Sequence, residues 1–125
     1  MKKNLVKGVF VSVLCSLFFF GSCADKQVVK GDALCIIATV TMAPEYKKEV
    51  LVAVQAVVDA TRKEQGCASY CVYEDVNDPL KFVFIETWKS QDAFEFHTKT
   101  AHFNDFVKAI EGKTTLEIST LKQKF

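Results

Sequence analysis

The 125-residue chain contains no Cys-x-x-Cys pair and only two histidines, His97 and His102. Neither has a cysteine or a set of carboxylates grouped with it in the sequence, so no zinc-ligand pattern is present and no metal is expected. Charge of one sign is also missing. Sixteen basic residues stand against 15 acidic ones, for a formal net charge of +1, which leaves no electrostatic footprint for a nucleic-acid partner. No apolar run reaches the roughly 20 residues that cross a bilayer as a helix. Proline occurs only at Pro44 and Pro79, where each marks a boundary between elements. No internal repeat or low-complexity segment is evident. What remains is a chain half apolar in composition, too hydrophobic to stay disordered and long enough for one domain.

The first residues read as a targeting segment. Lys2, Lys3 and Lys7 make a basic start, and Val9 to Phe20 is apolar except for Ser12 and Ser16. The run ends in Phe20-Gly21-Ser22-Cys23. Small residues just before a cysteine resemble the cleavage box of bacterial lipoproteins, in which the cysteine becomes the lipidated first residue. The resemblance implies a signal peptide over 1–22, lipidation at Cys23 and a polar tether over 23–33. It also implies a lipid-anchored protein of the bacterial cell envelope, facing periplasm or cell surface. An ordinary signal peptide cleaved nearby is the other reading. Export makes disulfides possible, and Cys35, Cys67 and Cys71 lie beyond the leader. Cys67 and Cys71 are four apart on one strand, roughly 13 Å, too far to bridge. All three are expected to be thiols acting as small hydrophobes.

From residue 34 to 125 the pattern is that of one α+β domain. Leu34 to Met42 alternates as a strand. Pro44 opens a helix in which Tyr46, Val50, Val54, Val57, Val58 and Thr61 recur at helical spacing, and Gly66 is expected to end it. Ala68 to Val76 and Lys81 to Trp88 are strands joined around Asn77-Asp78-Pro79. Ser90 caps a short helix reaching about Lys99. Thr100 caps a second piece with Phe103, Phe106, Val107 and Ile110 as its apolar stripe. Gly112 ends it, and Thr114 to Leu121 alternates as the last strand. The order β-α-β-β-α-β is the ferredoxin-like unit with an antiparallel sheet. Two helices cover one face of such a sheet. The other face is apolar enough to call for a partner, most simply a second copy.

On the third strand Phe82, Phe84, Glu86 and Trp88 share a face, and on the second Tyr70 shares one with Val72. A carboxylate and an indole among phenylalanines suit a pocket for a planar aromatic ligand. The same residues also suit an aromatic core with Glu86 paired to a cation such as Arg62. His97 falls on the sheet side of its helix. Two readings stand for it: a proton acceptor near neutral pH, or a core histidine bonded to a carbonyl. His102 reads as a helix-terminus or loop contact.

Glu64-x-Gly66-Cys67-x-x-Tyr70, Glu86-x-Trp88, His97 nine residues after Trp88, and His102-Phe103 with Phe106 occur in one order. Together they resemble the antibiotic biosynthesis monooxygenase family, whose members include quinol monooxygenases. The resemblance implies a dimeric α+β barrel. It further implies oxidation of a hydroquinone or polyphenol by dioxygen without a cofactor. His97 would be the base, with Trp88 and Glu86 beside it. Tyr70, Phe82, Phe84, His102 and Phe106 would hold the substrate. Some active relatives carry an asparagine four residues before the tryptophan, where this chain has Phe84. A related branch of the fold binds or degrades haem and uses an asparagine on the first strand, which is lacking between Leu34 and Met42. Haem is therefore the alternative cofactor, and a non-catalytic dimer binding an aromatic ligand is a third reading.

Overall fold

The computed structural model describes residues 32–125. The expected leader, the lipidation site at Cys23 and nearly all of the tether lie outside the described residues. Strand β1 spans Leu34–Met42. A 3-10 turn at Pro44–Tyr46 follows, with proline at its start, and helix α1 runs Lys47–Thr61. Strands β2 (Cys67–Glu74) and β3 (Lys81–Trp88) form the hairpin. Helices α2 (Gln91–His97) and α3 (Ala101–Ile110) precede strand β4 (Thr114–Lys122). The sheet order is β2-β3-β1-β4 with every pairing antiparallel. This is the ferredoxin-like arrangement.

Local chemistry explains the breaks. Ser90 and Thr100 accept hydrogen bonds from the backbone N–H groups of Ala93 and Phe103 at the starts of α2 and α3. These bonds satisfy donors that a helix start leaves without an intrahelical partner. Gly112 ends α3 with a φ of 72°, a conformation glycine adopts without steric cost. Gly66 does something other than the expected helix termination. α1 stops at Thr61, and Gly66 does not have a positive φ. A Cβ at Gly66 would lie 2.5 Å from the Cβ of Ala93. The glycine therefore lets the β2 entry pass against α2, and its carbonyl accepts from the N–H of Lys89 at 3.0 Å.

Alternation on the strands sorts the core. Ile36, Ala38, Val40 and Met42 on β1 face the helices with Phe82, Phe84, Glu86 and Trp88 on β3, and all are buried. Val50, Val54, Val57 and Val58 of α1 and Phe106 and Ile110 of α3 close that layer. The opposite face carries Ile37, Val83 and Ile85 and is not covered by the described residues. Beyond β1 the helices do not reach. Leu116 and Ile118 on β4 point to the helix side, yet are 46% and 59% exposed.

The cysteine expectation needs one correction. Cys35 and Cys67 are thiols, but Cys71 is disulfide-bonded, and neither of those two is its partner. Cys71 sits opposite Ile85 on the uncovered face, and its partner lies outside the described residues.

Candidate functional site

A cavity of about 70 Å³ lies between the sheet and helices α2 and α3. Its floor is Ile36, Ala38 and Val40 of β1, and Phe84, Phe94, Phe103 and Phe106 form an aromatic wall. Leu116 and Ile118 stand at the β4 edge, its thinly covered side. Tyr70 and Glu86 bring the polar groups.

Glu86 is 5% exposed. Alternation on β3 turns its side chain to the helix side, and Tyr70 faces it directly across the β2–β3 ladder. Trp88, two residues along, donates its indole N–H to Glu86 Oε2 at 2.9 Å. The Tyr70 hydroxyl, from the facing strand, also favours the charged form of this carboxyl. Burial opposes the charged form and outweighs both, so the Glu86 carboxyl is pushed up from 4.5 to about 7. The same burial, reinforced by the Glu86 charge, pushes the Tyr70 hydroxyl well above its ordinary value. Arg62 is not the partner of Glu86 that a plain core would need; its Nε–H donates to the Tyr70 carbonyl at 3.0 Å. The result is a carboxyl that changes charge near neutral pH inside an apolar aromatic chamber.

The other expected residues stand behind or beside this wall. Trp88 is fully buried, its ring tilted 35° against His97 with centroids 4.6 Å apart. His97 is 1% exposed. Its Nδ1 faces Glu64 Oε1 at 2.6 Å, and His102 Nε2 reaches the same oxygen at 2.7 Å. Burial holds the His97 ring below its usual pKa despite the nearby carboxylate. His102 also lines a separate groove between α1 and α3. Phe82 is buried near Lys47, whose ammonium lies 5.9 Å from its ring, and takes no part in the cavity wall.

Sequence reasoning missed Phe94 and Phe103 as wall residues and Glu64 as the acceptor joining the two histidines. Glu64 stands in the Glu64-x-Gly66-Cys67 motif, but nothing local marks it as the partner of the histidines. No carboxylate set is grouped with the histidines in the sequence, but the fold brings one carboxylate, Glu64, to both. The three donor atoms lie within 4.8 Å of one another, a grouping with the composition of a metal site. The 2.6 and 2.7 Å spacings, however, are those of direct hydrogen bonds.

The chain is similar to several known proteins. The profile of a family described as "Antibiotic biosynthesis monooxygenase" matches residues 33–109. YcnE of Bacillus subtilis, a protein provisionally named a monooxygenase, is 40% identical over 79 residues, covering 63% of this chain and 81% of the relative. The crystal structure of PA3566 from Pseudomonas aeruginosa superposes with a TM-score of 0.71 at 31% identity, covering 76% of this chain and 97% of that one. A crystal structure titled as an antibiotic biosynthesis monooxygenase gives a TM-score of 0.70 at 31% identity, with 73% and 98% covered.

Proposed function

Because the chain belongs to the antibiotic biosynthesis monooxygenase family, we propose that it oxidises a hydroquinone or one ring of a polyphenol with dioxygen and no cofactor, in the Glu86 cavity. One observation carries the reading: a carboxyl with a pKa of about 7 opens on a chamber otherwise walled by aromatic rings. A general base is most effective when its pKa lies near the working pH.

Glu86 accepts the proton of a substrate hydroxyl, and the electron pair of the broken O–H bond stays on the ring oxygen. The resulting phenolate is electron-rich enough to reduce dioxygen directly. For a simple hydroquinone the balance is one hydroquinone plus one dioxygen giving one hydroxyquinone and one water. The protein orients the ring, takes the proton and excludes bulk water. Trp88 holds the carboxylate in place through its hydrogen bond.

The cavity, about 70 Å³, is smaller than the roughly 150 Å³ that takes benzene, so a single ring needs the exposed Leu116 or Ile118 to turn aside. A haem macrocycle needs a far larger opening, since even ordinary ligand pockets span about 300–1,000 Å³. The smaller displacement favours the phenolic reading over the haem one. The uncovered sheet face with Ile37, Val83 and Ile85 supports a homodimer built face to face, and Ile85→Lys should then give monomers in light scattering. A lipid at Cys23 completes the proposal and is read by mass spectrometry of the mature protein.

The test is oxygen uptake by the purified, metal-free protein with a panel of hydroquinones. Uptake is expected, and Glu86→Gln should reduce it by about 10²-fold or more. No uptake above background with any member of the panel would sink the enzyme reading. A strong Soret band on adding hemin, lost in His97→Ala, would transfer the assignment to haem.

A further inference from the structure

His97 has two ring nitrogens, and only one of them is bonded. Its Nδ1 is engaged by Glu64, while its Nε2 is buried and has no hydrogen-bond partner. A buried polar atom left unmatched is costly, and in a folded protein it calls for an explanation. We propose that Glu64, braced by His102, is a positioning residue that locks His97 as the Nδ1–H tautomer, and that the free Nε2 lone pair receives the second hydroxyl of a dihydroxy aromatic bound in the Glu86 cavity. This deepens the reading above and rests on it.

The geometry supports each part. An ionised carboxylate only accepts hydrogen bonds. With Glu64 Oε1 as the acceptor of both contacts, the rings turn an N–H toward it, Nδ1–H from His97 and Nε2–H from His102. A neutral imidazole with a proton on Nδ1 has its lone pair on Nε2. Burial favours that neutral form of His97. The charged or titratable groups facing the ring are Glu64 and His102, and the Tyr70 ring lies 5.9 Å away. Thr100 fixes the junction further: its hydroxyl donates to the His97 carbonyl at 2.7 Å and lies 3.2 Å from His102 Nε2.

The cavity is one side-chain layer away. Phe103 packs edge-on against His97 with centroids 4.9 Å apart, Phe94 lies at 6.4 Å, and both belong to the cavity wall. Neither phenylalanine is fully buried. A ring entering a chamber this small displaces wall side chains, and a shift of Phe103 opens His97 Nε2 to the ligand. Glu86 then takes one hydroxyl proton and His97 Nε2 the other. Each O–H bond breaks with its electron pair left on oxygen; the ring gives dioxygen four electrons in all, one oxygen atom entering a ring C–H bond as hydroxyl and the other leaving as water with the two hydroxyl protons. A second acceptor has this use only for a substrate with two hydroxyls.

The tautomer is read directly by long-range ¹H–¹⁵N correlation of the histidine rings in the labelled full-length protein. The expected spectrum shows His97 protonated at Nδ1 and bare at Nε2. Anaerobic hydroquinone should move the Nε2 resonance, and phenol should leave it in place. Glu64→Leu, which offers no acceptor, should abolish the single-tautomer signature, whereas Glu64→Gln, whose amide oxygen still accepts, should keep it. His102→Gln should keep it, because its amide N–H can still donate to Glu64. A proton on His97 Nε2 in the wild-type protein overturns the proposal whatever the variants do. So does an Nε2 resonance indifferent to hydroquinone, or loss of both histidine signals on adding one equivalent of Co²⁺ at micromolar concentration. Failure here is separable from failure of the enzyme reading. Oxygen uptake with an unmoved Nε2 refutes only this assignment, whereas a hydroquinone response without uptake refutes only the oxygen chemistry.

Discussion

Glu86→Gln is the most direct probe of the buried carboxyl, because it should change stability as well as turnover. Glutamine keeps the shape and still accepts from the Trp88 indole N–H, so packing is nearly unchanged. What disappears is the titration. The native carboxyl holds its proton up to about pH 7, against 4.5 without the fold. Below pH 4.5 the group is protonated in both states, and its contribution is fully present. Between the two values the unfolded chain ionises while the native one does not, so stability falls as pH rises. Above about 7 both forms are charged and the loss levels off. That span corresponds to roughly 3 kcal/mol. The wild-type protein should therefore lose about that much relative to Glu86→Gln between pH 4 and pH 8. In a domain of this size the gap in Tm is on the order of 15 °C. Urea melts at a series of pH values, followed by circular dichroism and by the single tryptophan, measure it. A gap that stays flat with pH would refute the reasoning. It would mean that Glu86 is solvated or ion-paired in solution and cannot be the poised base.

The other expectations concern neighbours of that group. Trp88→Phe removes the donor that favours the charged carboxylate, so the pH at which oxygen uptake half-rises should move up by about one unit; a downward move would contradict the assignment. Gly66→Ala should cost about 1–3 kcal/mol through its clash with Ala93, and the double variant with Ala93→Gly should recover most of it in chemical denaturation. Thr100→Ala removes the α3 cap and the bond to the His97 carbonyl. A loss of about 1 kcal/mol or more is expected in the same melts.

Much of the architecture was legible residue by residue. The alternation over Leu34–Met42 and Lys81–Trp88 defined two strands whose observed bounds match the reading. Ser90 and Thr100 announced the helix starts, because hydroxyls that precede apolar helical stripes satisfy free N–H groups. The face shared by Phe84 and Glu86 was equally visible, since strand alternation is a local rule. Gly66 was misread because its role is set by Ala93, 27 residues away, rather than by its own turn. Glu64 was overlooked for the same reason: its partners lie 33 and 38 residues along the chain. The disulfide at Cys71 could not be foreseen from spacing between the strand cysteines, because neither of them is its partner.

The sequence by itself determined the order of elements, the face on which Glu86 sits and the family to which the chain belongs, because period, caps and motif order are written in neighbouring residues. Only the tertiary structure decided which side chains make the site. It put Glu86, bonded to Trp88 and facing Tyr70, on a chamber closed by Phe94 and Phe103. It set Trp88 and His97 behind that wall rather than in it, and it joined His97 to His102 through Glu64. The reason is physical. A pKa near 7 and a locked tautomer come from burial and from contacts between distant segments, and those exist only once the helices have closed over the sheet.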